Sequence, residues 1–207
     1  MHPYLATIHG IEVWRGTPVL VCEYLVGGTL DRRIRSAPLT DASAIALGLQ
    51  LLDALEYMHS RNVMHRDLKP SNVGFTGDGT PKLLDFGLAR LAEPPAIGEV
   101  DAARLDATTL AGTVAYLSPE AFAGAPPDPS FDFWALCVLL FESVHAQHPF
   151  ADGERTRRNI IQRRIVGGDL REGTLPHRLA RLLTGPSSGY RRSGDVRRVL
   201  DGATAAY

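Results

Sequence analysis

The sequence holds only two lysines, Lys69 and Lys82, although Lys and Arg together number 22. Nearly every cation is therefore an arginine. With 23 acidic residues against them the formal net charge is -1, so no excess of positive charge marks a nucleic-acid or other polyanion binder. The two cysteines, Cys22 and Cys137, offer no disulfide framework and make the reducing cytoplasm the expected compartment. The longest uninterrupted apolar run, FWALCVLLF at 133–141, is too short to span a bilayer, so no membrane segment is expected. The first residues also lack the basic-then-apolar layout of a secretory signal. His2, His9, His145, His148 and His177 show no metal-ligand spacing, which argues against zinc. No internal repeat or low-complexity tract is present. What remains, 207 residues with 44% apolar, reads as globular, with one large domain or two small ones.

Two segments rich in β-branched and aromatic residues, LATIHGIEVW (5–14) and PVLVCEYL (18–25), flank the turn-like RGT and predict a hairpin. Gly27-Gly28 ends it, and TLDRRI begins a short helix. TDASAIALGLQLLDALEYMHS (40–60) carries a stripe of Ile45, Leu49, Leu52 and Leu55, with Leu51 and Met58 beside it. That stripe predicts a long buried helix, with Thr40 or Asp41 able to cap its start. Two short apolar stretches, NVGF and PKLLDF, lie around the turn residues TGDG. Residues 92–113 have no periodicity and read as a surface loop. FDFWALCVLLFESV, from 131, is apolar nearly all round and belongs in a core, Trp134 included. ERTRRNIIQRRIV, PHRLARLL and SGDVRRVLDG look like shorter amphipathic helices; the arginine run at 155–164 reads as a solvated helix face.

MHRDLKPSN (64–72) concentrates the chemistry. Asp67 and Asn72 bring two oxygen-bearing side chains to one tight loop, and Asp85 follows Asn72 by 13 residues. Phosphoryl transfer needs such a set: one carboxylate to orient a hydroxyl and accept its proton, and hard oxygen ligands to hold Mg²⁺ on nucleotide phosphates. Lys69 can reach a transferred phosphate as a point charge.

At these residues the sequence resembles the eukaryotic-type protein kinases, in a bacterial-looking form. HRDLKPSN is similar to their catalytic loop and DFG to their metal loop. GTVAYLSPE (112–120) resembles the end of an activation segment, with Ser118 where alanine is usual, and FDFWALCVLLFE resembles the buried helix after it. Lys69 within DLKPSN resembles the serine/threonine branch. The resemblance implies ATP and Mg²⁺ as cofactors and a protein Ser/Thr hydroxyl as substrate. It makes Asp67 the catalytic base, Lys69 a phosphate contact, and Asn72 and Asp85 the metal ligands. Thr113 would hydrogen-bond near Asp67 and Lys69 and favour Ser/Thr substrates. Arg66 would pair with phosphate on the activation loop, at Thr108 or Thr109. Glu120 would pair with a late arginine such as Arg191, Asp132 would tie down the catalytic-loop backbone, and His65 would pack against Phe86. VCEYL resembles the hinge: backbone groups of Glu23 and Leu25 would bond the adenine edge, with Cys22 behind it. Gly74 falls where a bulky aliphatic commonly floors the adenine, which implies a roomier pocket.

The family's G-x-G-x-x-G loop, its strand lysine and the helix with the partner glutamate are absent from these 207 residues. The expected architecture is thus α+β and protein-kinase-like. Residues 1–27 would be a two-stranded remnant and hinge of the small lobe, and 28–207 the helical lobe. The expectation is a truncated chain that folds its helical lobe but has little activity, with the apolar face of its hairpin exposed. A pseudokinase-like binding module and a small-molecule (antibiotic) phosphotransferase are the alternatives.

Overall fold

The computed structural model describes residues 1–85, 115–150, 170–185 and 192–204. The chain opens with β1 (Ile8–Trp14) and β2 (Thr17–Cys22), paired antiparallel with Trp14 opposite Thr17. Arg15 and Gly16 both lie at positive φ, 50° and 81°, the geometry of a two-residue turn whose twist matches the strands. Both faces of this hairpin are open: Ile11 and Val13 are 70% exposed and Trp14 67%. β2 ends earlier than expected. Past Cys22 the chain pairs elsewhere, with Glu23 N–H donating to Thr7 O, Gly27 N–H to Phe75 O and Phe75 N–H to Gly28 O.

After α1 (Leu30–Ser36) comes α2 (Asp41–His59). Of the two candidate caps, Thr40 serves: its side chain accepts from Ser43 N–H at 3.2 Å. Asp41 instead accepts from Leu175 N–H, 3.1 Å away across the fold. The buried face of α2 is wider than the expected stripe. Ala44, Leu47, Gly48, Leu51 and Ala54 lie inside with Ile45, Leu52, Leu55 and Met58, whereas Leu49 is only partly buried. Gly48 permits the close packing: a Cβ there would stand 2.8 Å from Leu140 Cδ1 and 3.1 Å from Leu200 Cδ1.

A single 3₁₀ turn (Pro70–Asn72) leads into β3 (Val73–Phe75), which pairs antiparallel with β4 (Pro81–Leu83). The hairpin at the start of the chain is anchored here, because Ala6 N–H donates to Leu83 O and Leu83 N–H to Tyr4 O. α3 (Pro119–Phe122) is short and is capped by the Ser118 side chain. α4 (Ser130–His145) buries every residue from Phe133 to Phe141, as its all-round apolarity predicts; each large side chain there contributes roughly 1.5–3 kcal/mol of burial. Trp134 stacks on Phe150 with ring centroids 5.5 Å apart. α5 (Leu175–Thr184) and α6 (Ser193–Thr204) close the helical body. Arg197 on α6 reaches α2, 2.7 Å from both Asp53 and Glu56. Among the described residues no helix is long and apolar enough to cross a membrane. The helix read at 154–166, the arginine run and the loop at 92–113 lie outside the described residues.

Candidate active site

The loop between α2 and β3 is pinned from both sides. α2 ends at His59, and Asn62, at φ 57°, turns the chain back. Asp132, in the first turn of α4, is 2% exposed and holds the loop by its backbone. Its Oδ2 accepts from His65 N–H and its Oδ1 from Arg66 N–H, both at 2.9 Å. Arg66 sits at φ 64°, a left-handed conformation that costs a non-glycine residue about 1–3 kcal/mol and needs such over-determination. Burial pushes the Asp132 carboxyl up. Hydrogen bonds from His59 and the two amides, with the field of His65, nevertheless hold it below its ordinary value.

His65 is fully buried, with a ring that bridges the two halves of the site. Its Nε2 donates to Leu84 O at 3.0 Å, so the bare Nδ1 receives Asp67 N–H at 3.4 Å. Burial pushes its pKa down, against the opposing fields of Asp132, Asp67 and Asp85. An acid–base role is therefore poorly suited to it. Phe86, its expected contact, lies outside the described residues.

Three of the expected site residues, Asp67, Lys69 and Asn72, meet within the loop. Lys69 Nζ lies 3.1 and 2.8 Å from the two oxygens of Asp67. Asn72 Nδ2 donates to Asp67 O at 2.8 Å and to Asp67 Oδ2 at 3.0 Å, which commits the amide nitrogen to the loop and turns the carbonyl end to other work. Asn72 O accepts from Leu84 N–H at 2.8 Å. Leu84 is thus fixed on both sides, and the next residue, Asp85, is exposed at φ 54°. Two carboxylates and one amide oxygen are a hard-oxygen donor set. Among the described residues no three His, Cys, Asp or Glu gather, so a cation at this loop would rely on phosphate and water oxygens as well, the usual habit of Mg²⁺. Arg66 is exposed. Thr113, Thr108, Thr109 and Arg191 lie outside the described residues.

At the expected hinge, Glu23 is held by its side chain: Oε2 accepts from Lys82 Nζ at 2.8 Å and from Thr7 N–H at 3.0 Å. Those bonds, Lys82's first, keep its carboxyl below the ordinary range. Cys22 is exposed. Gly74 leaves no hole, because a Cβ there would stand 2.5 Å from Leu25 Cδ1 and 3.1 Å from Leu84 Cδ1. Leu25 fills the space expected to be vacant.

Sequence reasoning did not single out His59, whose Nε2 lies 2.8 Å from Asp132 Oδ2, nor the Glu23–Lys82 pair. Partners 73 and 59 residues apart leave no spacing signal. A hollow of about 770 Å³ lies among Glu56, His59, Asp128, Phe131, Phe133 and Arg192, and none of Asp67, Lys69, Asn72 and Asp85 lines it.

A small hairpin ahead of a helical body, with an Asp–Lys–Asn loop between α2 and the β3–β4 hairpin, is a kinase-like α+β fold. Residues 1–177 match the family described as protein kinase domain, and the chain belongs to it. It is 34% identical to an Aurora kinase of Eremothecium gossypii over 185 residues, 88% of this chain and 48% of that protein. It is 35% identical over 154 residues to a probable serine/threonine-protein kinase, PknB, of Lactococcus lactis, 74% of this chain and 23% of that one. Against the serine/threonine-protein kinase PkaA of Streptomyces coelicolor it is 32% identical over 179 residues, 84% and 31% of the two chains. The chain spans less than half the length of these relatives.

Proposed function

We propose that these residues are the catalytic and hinge part of an ATP-dependent protein serine/threonine kinase, divided into a small hairpin unit (1–27) and a helical lobe (28–207). The observation that carries the reading is the Asp67 carboxylate, held between Lys69 Nζ and Asn72 Nδ2 within 3.1 Å. Asp67 orients the substrate hydroxyl and takes its proton as the oxygen attacks phosphorus. Lys69 balances the carboxylate at rest and stands within reach of the transferred phosphate. The Asn72 carbonyl oxygen and Asp85 would hold Mg²⁺, which when bound screens the nucleotide phosphates. Backbone groups of Glu23 and Leu25 present the adenine edge, with Cys22 behind them and Leu25 as its support. Thr113 favours a Ser/Thr acceptor, and Arg66 receives an activation phosphate.

Transfer of labelled phosphate from Mg-ATP to a generic protein substrate tests this. Asp67→Asn should abolish transfer. Transfer to an aminoglycoside in place of protein would refute the reading.

A second reading, a binding module without turnover, draws on the two lysines. Both are engaged by carboxylates, Lys69 by Asp67 and Lys82 by Glu23, which leaves neither for the α/β-phosphates. The 207-residue polypeptide alone should accordingly turn over ATP far more slowly than a form that also carries a glycine-rich loop and strand lysine. Equal turnover would sink that expectation.

A further inference from the structure

α1 ends on Ser36, an exposed residue that follows Arg32, Arg33 and Arg35 in the run RRIRS. Its hydroxyl makes no hydrogen bond among the described residues. Ser60, Ser118 and Ser143, by contrast, are engaged by backbone groups. The last residue of a helix frays readily, and Ala37 beyond it is already extended, at φ -160° and ψ 143°. Such a serine can be drawn into the cleft of a modifying enzyme, and the guanidiniums around it supply the charge pattern by which a kinase with acidic subsites selects a substrate.

The arginine one turn back ties α1 to the place where the hairpin unit joins β3. Arg33 lies with its guanidinium over the Phe75 ring, 3.4 Å from the centroid, and donates to Gly27 O at 3.3 Å. Gly27 is closely packed there: its N–H donates to Phe75 O, and a Cβ would stand 2.5 Å from Thr76 O. Both Arg33 contacts are of the weak kind, a long bond to a neutral carbonyl and a cation over a ring at an exposed site. A phosphate on Ser36 would set close to two negative charges and three acceptor oxygens one helical turn from Arg33 and Arg32. Bonds from a guanidinium to such an anion are about twice as strong as those to a neutral acceptor. Arg35 is already held by Asp31. We propose that Ser36 is a phosphorylation site whose modification draws Arg33 off Gly27 and Phe75 and loosens the junction between the hairpin unit and β3. In the step itself Ser36 Oγ attacks the γ-phosphorus of Mg-ATP as the bond to the bridging oxygen breaks. ADP leaves, and the hydroxyl proton passes to the base of the modifying kinase. Any effect on nucleotide binding rests on the kinase reading of this chain; the switch at Arg33 does not.

The site and its consequence are tested separately. The 207-residue chain is incubated with Mg-ATP and a purified serine/threonine kinase selective for arginine-flanked sites, and the product is read by mass spectrometry. The parent chain should gain a phosphate on Ser36. Ser36→Ala should lose it, and Arg33→Gln should take it up about tenfold more slowly, as loss of a charge-assisted contact implies. No phosphate on Ser36 of the parent chain overturns the proposal. For the consequence, phosphoserine is encoded at position 36 by codon suppression and the folded chain is followed by NMR. The Arg33 Nε–H and Phe75 ring resonances should move, and the Gly27 and Phe75 amides should exchange about threefold faster, with the central α4 amides unchanged. Arg33→Gln without phosphate should reproduce the changes at Gly27 and Phe75. Unmoved Phe75 resonances, or an equal gain in exchange throughout α4, overturn the proposal. None of these readouts needs turnover by this chain, so a failed phosphotransfer assay would sink the kinase reading and leave this result standing. Where phosphotransfer is measurable, phosphate on Ser36 should raise the nucleotide KM about threefold with kcat unchanged.

Discussion

Replacing Gly74 by leucine puts a side chain into space that Leu25 already holds, and the structure sets the cost. The new Cβ would stand 2.5 Å from Leu25 Cδ1 and 3.1 Å from Leu84 Cδ1, so Leu25 must retreat by about 1 Å to reach ordinary contact near 3.5 Å. The backbone offers no relief, because Gly74 is paired with Lys82 on one side and bridged to Thr29 on the other. Leu25 is only half-buried and can swing outward, so Gly74→Leu should cost about 1–3 kcal/mol, the usual range for overpacking. Leu25→Ala removes a half-buried leucine and should cost about 1 kcal/mol. In the double variant the leucine at 74 enters the space vacated by residue 25, and the losses should fall short of their sum by about 1 kcal/mol or more. Urea denaturation of the four proteins, followed by the buried Trp134, measures the cycle. A fluorescent nucleotide reports whether the double variant keeps a binding surface. Losses that add to within about 0.5 kcal/mol would refute the claim that the two positions share one space.

Two further outcomes follow from the geometry. Asp132→Asn leaves at least one of three buried donors facing a donor and should cost about 2–4 kcal/mol. The folded carboxyl of Asp132 lies below its unfolded value. The stability it supplies is therefore fully present above about pH 4 and is lost as pH falls through the folded value. The variant should show a flatter acid limb in urea titrations across that window, and an unchanged limb would contradict the assignment. Ile11→Lys and Val13→Lys, at hairpin positions 70% exposed, should leave the unfolding midpoint within about 0.5 kcal/mol. They should reduce concentration-dependent light scattering, which apolar patches of this kind promote; scattering equal to that of the parent chain would rule the patch out as the cause.

The helices at 41–59 and 130–145 were legible because their apolar patterns are local and long. The detail was less so. The expected stripe on α2 included Leu49 and omitted Leu47 and Gly48, since the width of its buried face depends on α4 and α6 closing over it. The second strand was read three residues too long. β propensity continues through Glu23-Tyr24-Leu25, yet the backbone bonds of that segment go to Thr7 and Phe75 and end the ladder. Gly74 was read as a vacancy, because sequence shows the missing side chain and not the neighbour that replaces it.

From the sequence alone came the family and the cluster of residues proposed as its site. Asp67, Lys69 and Asn72 lie within six residues, and a chain that short has few ways to fold without bringing them together. Asp85 then follows through one tight hairpin. The tertiary structure alone decided what surrounds them: Asp132 reaching the Arg66 amide from 66 positions away, His59 meeting Asp132 across 73, and Lys82 clasping Glu23 across 59. Such contacts depend on how α2 and α4 pack and on where β4 meets the first hairpin. That information resides in long-range packing, and no local pattern of residues encodes it.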